Sequence, residues 1–243
     1  MANPLPKKRG PHMAGCSLNK PPEWFKTNLV NGEPSGPERA EYCSCGGNPL
    51  QVEELARMRI PRSLWGCDLA GVTDAIKTRV TNFTQRLHRA KQEASGLYLY
   101  GEAGTGKSGA AAVILKESRL WGWNSLFITT NELRDSVRDH LQFDSESSIW
   151  DRCRTVDFLV IDDLNERDIV EKFFTIHDIC GLIFSRANSG LVTIVISRLF
   201  PNDWNTKSAP MVFNTIEKHL IGIEVVGENR HQIQQAKRAS LLE

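Results

Sequence analysis

An octapeptide in the middle of the chain constrains its fold more than any other feature. It satisfies the pattern G-x-x-x-x-G-K-[ST] of a phosphate-binding loop. Its residues are Gly101, Glu102, Ala103, Gly104, Thr105, Gly106, Lys107 and Ser108. The glycines let the backbone turn with its N–H groups pointing inward, where a Cβ atom would crowd a phosphate. Such a loop joins a strand to a helix, so the octapeptide predicts a P-loop α/β fold.

The last two residues of the loop carry its chemistry. The Lys107 ammonium can reach the β- and γ-phosphates of a nucleoside triphosphate, and the Ser108 hydroxyl can ligate Mg²⁺. A β-rich run at 97–100 precedes the loop, and an apolar helical run follows it and would add its dipole to the site. The loop therefore predicts ATP and Mg²⁺ as cofactors, with Lys107 both binding nucleotide and assisting catalysis.

Strand and helix patterns alternate from residue 96 onward. The predicted strands are 97–100, 125–129, 156–162, 191–197 and 223–226. The predicted helices are 107–120, 132–141, 148–154, 168–188 and 212–220. Continuous apolar strands alternating with helices indicate a parallel sheet covered on both faces. We expect a central five-stranded parallel sheet flanked by helices.

A second chemical feature is a pair of carboxylates, Asp162 and Asp163, at the end of an apolar strand pattern. Alone, this pattern could equally be a strand that runs into an acidic turn. In a P-loop protein, the first carboxylate binds Mg²⁺ directly or through water, and the second orients or deprotonates the attacking water. We therefore predict Asp162 as a metal ligand together with Ser108, and Asp163 as the catalytic base.

Composition divides the chain near residue 61. Nine of the eleven prolines fall in residues 1–61. Residues 1–50, punctuated by Pro, Gly, Ser and Asn, predict an extended region that buries little by itself. Helical patterns at 51–58 and 73–91 predict a helical linker over residues 51–95. The P-loop domain then occupies residues 96–243.

Four candidate zinc ligands share the N-terminal region: His12, Cys16, Cys43 and Cys45. Such a set can hold zinc in tetrahedral geometry. The Cys-x-Cys spacing is not the usual Cys-x-x-Cys knuckle, so reduced free thiols are the alternative. The sequence leaves zinc open as a further cofactor.

Charge and hydropathy restrict the compartment more than the partner. The net charge of +1 gives no general attraction to nucleic acid. No apolar run is long enough to span a bilayer, and the chain shows no secretory signal. We expect a cytoplasmic protein with no membrane partner.

Further motifs, taken in order and spacing, resemble the DnaC/IstB group of AAA+ ATPases, which are helicase loaders and transposition helpers. The resemblance spans about residues 60–231 and includes the P-loop and the acidic pair. The other segments that carry it are 60–65 (IPRSLW), 127–133 (FITTNEL), 183–186 (IFSR), 193–197 (TIVIS) and 225–230 (VVGENR). In this group, the first of these segments lies near the nucleotide base.

The resemblance implies an AAA+ (ASCE) core and a function in DNA replication. It implies a loader whose N-terminal region docks on a replicative hexameric helicase, while the core self-associates and grips single-stranded DNA. ATP would fix the assembled state and hydrolysis would release the partner. Arg230 matches the group's Gly-x-x-Arg ending and is a candidate nucleotide contact. The compartment implied is the cytoplasm of a bacterium or of a phage-infected host.

Two departures from the group's pattern indicate weak or partner-stimulated hydrolysis. The group ends its sensor strand in Asn, whereas Ser197 and Arg198 stand here, so Ser197 becomes the candidate catalytic residue. The group's arginine finger is replaced by Lys218 and His219, and a histidine does not reliably supply fixed charge. Lys218 could replace the arginine finger, or Arg198 could act across the interface. Alternatively, Lys218 and His219 could be ordinary surface residues of a helix.

Rival functions come from three classes. An IstB-type ATPase helper of DNA transposition shares all the core motifs. A small-molecule P-loop kinase would need an arginine-rich lid, and residues 142–148 contain no arginine. A catalytically inactive scaffold is compatible with Arg198 and His219.

Direct contact with DNA is harder to place. Arg134 and Arg138 lie one helical turn apart and could present a basic stripe to phosphates. Asp135 and Asp139 beside them make a solvated mixed-charge surface the alternative.

Overall fold

A five-stranded parallel sheet organises the chain, as the sequence predicts. Its strands are β3 (Gly96–Tyr100), β4 (Ser125–Thr129), β5 (Phe158–Leu164), β6 (Val192–Ser197) and β7 (Leu220–Glu224). Their order across the sheet is β4-β5-β6-β3-β7, and every neighbouring pair is parallel. All five strands therefore end at the same edge of the sheet, which we call the carboxyl edge.

In this computed structural model, the described residues are 27–30, 33–37, 52–143, 149–165, 176–206 and 209–229. Two strands, β1 (Thr27–Val30) and β2 (Glu33–Pro37), form an antiparallel pair within the predicted N-terminal region. The candidate zinc ligands and the candidate nucleotide contact near the C-terminus lie outside the described residues: His12, Cys16, Cys43, Cys45 and Arg230.

Helices cover both faces of the sheet. They are α1 (Val52–Arg57), α2 (Asp74–Gln85), α3 (Leu87–Gln92), α4 (Lys107–Leu120), α5 (Thr130–Phe143), α6 (Ile149–Thr155), α7 (Ile176–Asn188), α8 (Pro201–Thr206) and α9 (Pro210–His219), with a 3-10 turn at Arg62–Leu64. Alternate strand residues enter different cores: Leu97 and Leu99 pack with α2 and α4, whereas Tyr98 packs with α5, α7 and α9. No helix in the described ranges has the length and apolar character that crossing a bilayer requires.

The sequence placed several boundaries wrongly. The helix predicted over 73–91 is divided at Arg86, whose φ of −118° leaves the helical region between α2 and α3. The closing strand begins at Leu220 rather than at Ile223, because Leu220 is extended and pairs with Gly96 of β3. No Pro or Gly separates α9 from β7, so the sequence carries no turn signal there.

A buried arginine joins α7 to the start of the sheet. Arg186 is 1% exposed, and its guanidinium donates to the carbonyls of Cys153 (2.7 Å), Val156 (2.9 Å) and Val192 (2.7 Å) and to the Thr193 hydroxyl (3.0 Å). Burial lowers the pKa of Arg186 to about 10, which leaves the side chain charged at neutral pH. This arginine therefore fixes α6, α7 and β6 relative to one another.

We expect Arg186→Ala to destabilise the protein strongly. The change leaves three buried carbonyls without their donor, and each buried unsatisfied group costs about 1–3 kcal/mol. The expected loss in free energy of unfolding is at least about 3 kcal/mol, measured as the shift of the urea midpoint by circular dichroism. Arg154→Ala, at an exposed position of α6, is the control. Equal midpoints for the two variants would contradict the structural role of Arg186.

Candidate nucleotide site

The P-loop connects β3 to α4, as its sequence requires. Its three glycines have left-handed φ values: 129° at Gly101, 78° at Gly104 and 101° at Gly106. A Cβ atom at Gly101 would lie 2.7 Å from the carbonyl oxygen of Val225, so the loop also packs tightly on the segment that follows β7. These φ values are those with which a glycine-rich loop can form a phosphate cradle.

Lys107 begins α4 and lies within this cradle. It is 7% exposed, and its ammonium donates to the carbonyls of Gly101 (2.6 Å) and Glu102 (2.5 Å). Burial lowers the pKa of Lys107, and the nearby Asp162 carboxylate opposes the shift. The ammonium is therefore held at the loop by backbone oxygens and by the electrostatic field of the acidic strand.

Asp162 lies opposite the P-loop, at the end of β5. The Ser108 hydroxyl hydrogen bonds to its carboxylate, and the Thr130 hydroxyl donates to its backbone carbonyl (3.1 Å). Burial raises the pKa of Asp162, and the hydrogen bond from Ser108 opposes the shift. The sequence therefore identified two side chains that the fold brings into contact.

The fit of this pair to a metal ion follows from its chemistry. Mg²⁺ takes oxygen ligands, and it is usually bound through one or two protein groups with substrate phosphates and waters completing the shell. Ser108 and Asp162 supply such a pair of oxygens beside the phosphate cradle. Within the described ranges, no group of three or more His, Cys, Asp and Glu side chains is placed to hold a metal.

Asp163 has an unusual backbone. Its φ is 61°, and the pairing of β5 with β6 shifts register between Ile161 and Leu164, so a bulge lies at the acidic pair. The Asp163 N–H donates to the Asp162 carboxylate (2.8 Å), and the Asp163 residue itself is exposed. A bulge beside a functional carboxylate re-aims a side chain, and Asp tolerates the left-handed region better than most residues do.

Ser197 ends β6, between the P-loop strand and the acidic strand. Its buried hydroxyl donates to the Leu164 carbonyl (2.7 Å) and accepts from the Leu199 N–H (3.0 Å). The single proton of this hydroxyl thus links β6 to the end of β5. The catalytic role of Ser197 stays a prediction. To donate to a water or a phosphate, the Ser197 hydroxyl would have to give up its hydrogen bond to the Leu164 carbonyl.

The next residue, Arg198, is exposed at the carboxyl edge of the sheet. Its charge is close enough to Lys107 to contribute to the lowering of that residue's pKa, after burial, which is the largest cause. This location associates Arg198 with the chain's own P-loop. The sequence had offered Arg198 as a residue that acts across an interface.

The sequence did not indicate three residues that build or border this site. The first is Thr130, whose hydrogen bond to Asp162 is described above. The second is Lys116 of α4, which donates to the carbonyls of Leu64 (3.1 Å), Trp65 (2.7 Å) and Cys67 (2.7 Å). These bonds tie the segment after α1 to the P-loop helix. The Thr73 hydroxyl is buried without a partner among the described residues. A Cβ atom at Gly227 would lie 3.5 Å from the Thr73 methyl carbon and 3.6 Å from the Thr105 carbonyl oxygen, so the Thr73 side chain lies near the P-loop.

Lys218 and His219 lie at the opposite edge of the sheet. They end α9, and the next residue, Leu220, pairs with Gly96 at the start of the P-loop strand. The Lys218 ammonium lies 5.8 Å from the ring centre of Phe184, and the His219 ring meets the same phenyl edge to face at 5.7 Å. Burial, the largest cause, and the Lys218 charge lower the pKa of His219 from its ordinary value, which favours the neutral imidazole.

Comparison with known proteins gives similarity in structure alone. No protein-family model and no curated protein matches the sequence. The crystal structure of DnaI superimposes with a TM-score of 0.57 at 23% identity, over 70% of this chain and 93% of DnaI. The DnaC helicase loader gives 0.59 at 16% identity, over 68% of this chain and 100% of that one. The fold is that of the AAA+ proteins.

A third AAA+ structure is the replication initiator DnaA bound to AMPPCP and single-stranded DNA. It matches with a TM-score of 0.54 at 16% identity, over 74% of this chain and 56% of DnaA. The AAA+ fold therefore agrees with the expectation drawn from the sequence motifs, including the five-stranded sheet.

We expect Asp162 and Asp163 to fail differently when each is changed. Asp162→Ala removes the carboxylate beside Ser108 and should abolish the Mg²⁺ dependence of ATP binding. Asp163→Asn should keep nucleotide affinity but stop turnover, because only the water-activating carboxylate is lost. Asn is the matched replacement, since it too tolerates a left-handed φ. Titration with a labelled ATP analogue and a phosphate-release assay measure the two effects, and equal loss of binding in both variants would refute this division of roles.

Proposed function

We propose that this chain is an ATP-switched loader that binds a replicative hexameric helicase and delivers it onto DNA during replication initiation. The observation that carries the proposal is the combination of an intact P-loop and acidic pair with a fold that spans 93% and 100% of the solved DnaI and DnaC chains. Fold similarity alone fixes no activity. The proposal therefore rests on the site and on the motifs that resemble the DnaC/IstB group.

The site supports binding and hydrolysis of ATP with Mg²⁺. Lys107 neutralises the β- and γ-phosphates, and the backbone N–H groups of the loop surround them. Ser108 and Asp162 supply oxygens for Mg²⁺. Asp163 orients the attacking water from its bulged, exposed position. Arg198, at the same edge of the sheet, contacts the phosphates within its own subunit.

Hydrolysis by a single copy of the chain is slow because a second copy must supply the groups that complete the site. Lys218 and His219 lie at the edge of the sheet away from their own P-loop. They can therefore approach a γ-phosphate only in a neighbouring subunit. A neutral His219 supplies no fixed positive charge, and Lys218 lacks the forked donors of an arginine. Assembly on single-stranded DNA or on the helicase would order this interface and raise the rate.

The remaining regions carry the partners. The N-terminal region, 1–50, docks the helicase, the linker, 51–95, leads into the P-loop domain, and residues 96–243 bind nucleotide and self-associate. Arg134 and Arg138 could contact DNA, or they could belong to a solvated mixed-charge surface. Arg134 is half-buried in α5, and the side chain of Arg138 lies outside the described residues. Zinc at His12, Cys16, Cys43 and Cys45 remains an open part of the same N-terminal proposal.

The proposal predicts that helicase binding and ATP binding separate along the chain. A fragment of residues 51–243 should keep its affinity for a labelled ATP analogue and lose retention of the hexameric helicase, because every element of the P-loop site lies after residue 51. Affinity capture by the full chain is the reference. Capture of the helicase by both proteins would move the docking surface into the core. Capture of a transposase instead would favour the transposition helper.

Restoring an arginine at the distal edge should accelerate hydrolysis. We expect His219→Arg to raise the basal ATPase rate about tenfold, below the largest effects of an arginine finger because Ser197 and Arg198 also depart from the pattern. Asn214→Arg, at an exposed position on the same helix, is the matched control because it also adds one positive charge. Phosphate release is measured against protein concentration, with and without single-stranded DNA. A fast wild-type rate indifferent to concentration and DNA would contradict completion by a neighbour.

A further inference from the structure

A groove remote from the nucleotide site lies between α2, α3 and the edge strand β7. It has a volume of about 600 Å³, within the range of ligand-binding clefts. Its floor includes Phe83, Ile221 and Ile223, and its rim includes Arg79, Arg86 and Arg89. We call it the β7 groove. None of its lining residues belongs to the P-loop or to the acidic strand.

Part of the groove floor is β7, the strand at the end of the sheet. β7 pairs with β3 on one side, and no other strand in the described part of the chain pairs with it. Three consecutive residues, Ile221, Gly222 and Ile223, line the groove, so it follows the strand. Ile221 is 54% exposed. An unpaired edge with apolar side chains is a template for an additional strand.

The rim of the groove is positively charged. Arg79, on α2, and Arg86, which directly follows the end of α2, are both exposed, and their spacing of seven residues places them about 10 Å apart along the direction of that helix. Neither guanidinium makes a hydrogen bond or an ion pair within the described ranges. Arg89 is paired with Glu93 at 2.7 Å. With three arginines and one glutamate, the lining has a formal charge of +2.

We propose that the β7 groove binds an extended acidic peptide segment of a partner protein, which adds to the sheet as a strand beside β7. Its backbone pairs with the outer edge of β7, and its carboxylates pair with Arg79 and Arg86 as charge-assisted, forked hydrogen bonds. Residues on one face of a strand repeat at about 7 Å, so acidic residues two to four positions apart reach both arginines. Because the groove is separate from the P-loop, this proposal does not depend on the loader function.

The floor favours a peptide over a nucleic acid. Single-stranded nucleic acid binds through phosphate contacts combined with stacking on exposed aromatic rings. The one aromatic ring lining this groove, Phe83, is half-buried and packs against the main core. The aliphatic floor and the outer edge of β7, which no described strand pairs with, match the side chains and the backbone of an extended peptide instead.

Fluorescence anisotropy with the full-length protein tests the proposal. The probe is a fluorescein-labelled eight-residue peptide of alternating Glu and Val. Two comparison probes are used: the same peptide with Lys in place of Glu, and a fluorescein-labelled oligo(dT). Reversing both charges with Arg79→Glu and Arg86→Glu should weaken binding of the Glu-Val peptide at least about tenfold and give binding of the Lys-Val peptide. Arg154→Glu, at an exposed arginine outside the groove, should change neither affinity.

Hydrogen exchange provides the readout for strand addition. Binding of the Glu-Val peptide should slow amide exchange in residues 220–224, and affinity for an ATP analogue should stay unchanged in every variant, which shows that the fold is intact. Equal peptide affinity in the wild type and the charge-reversed variant would overturn the proposal. So would binding of oligo(dT) in place of the peptide through the same two arginines, or peptide binding without protection of β7.

Discussion

The parallel pairing of β6 with both β3 and β5 is the constraint on which the site depends. It brings the end of the P-loop strand and the end of the acidic strand to one edge of the sheet, with Ser197 between them. Contact between Ser108 and Asp162 follows from this arrangement. The same direction places the start of β7, and with it Lys218 and His219, at the other edge. Strand order and direction thus separate Lys218 and His219 from the P-loop of their own chain.

Much of the fold and the centre of the site could be predicted because their signals are local. The glycine spacing of the P-loop reflects three left-handed φ values, and the apolar run before Asp162 reflects a strand buried on both faces. What the sequence could not give depends on contacts across the chain. Nothing around Ser197 indicates that its hydroxyl is engaged by Leu164, and nothing around Arg198 indicates its closeness to Lys107. The same holds for Thr130 and Lys116, whose partners lie 32 and about 50 residues away.

The structure also distinguishes cations that join elements of the fold from cations at a candidate binding site. Arg186 and Lys116 are buried, and each is surrounded by backbone carbonyls that fix neighbouring elements. Lys107 is held by carbonyls too, but within the P-loop, whose sequence pattern predicts phosphate binding. Arg79 and Arg86 make no such contacts within the described ranges and remain available to an external anion. Burial and partners, rather than residue type, therefore distinguish these roles.

Mixing two defective variants tests most directly the claim that one copy completes the site of another. Lys107→Ala loses nucleotide but keeps Lys218 and His219, whereas the double variant Lys218→Ala/His219→Ala keeps its nucleotide site but lacks the completing groups. Each alone should hydrolyse ATP more slowly than the wild type. The account predicts that the mixture, on single-stranded DNA, turns over ATP at a rate clearly above the sum of the two separate rates. A mixture that gives only that sum, or a double variant as active as the wild type, would contradict it.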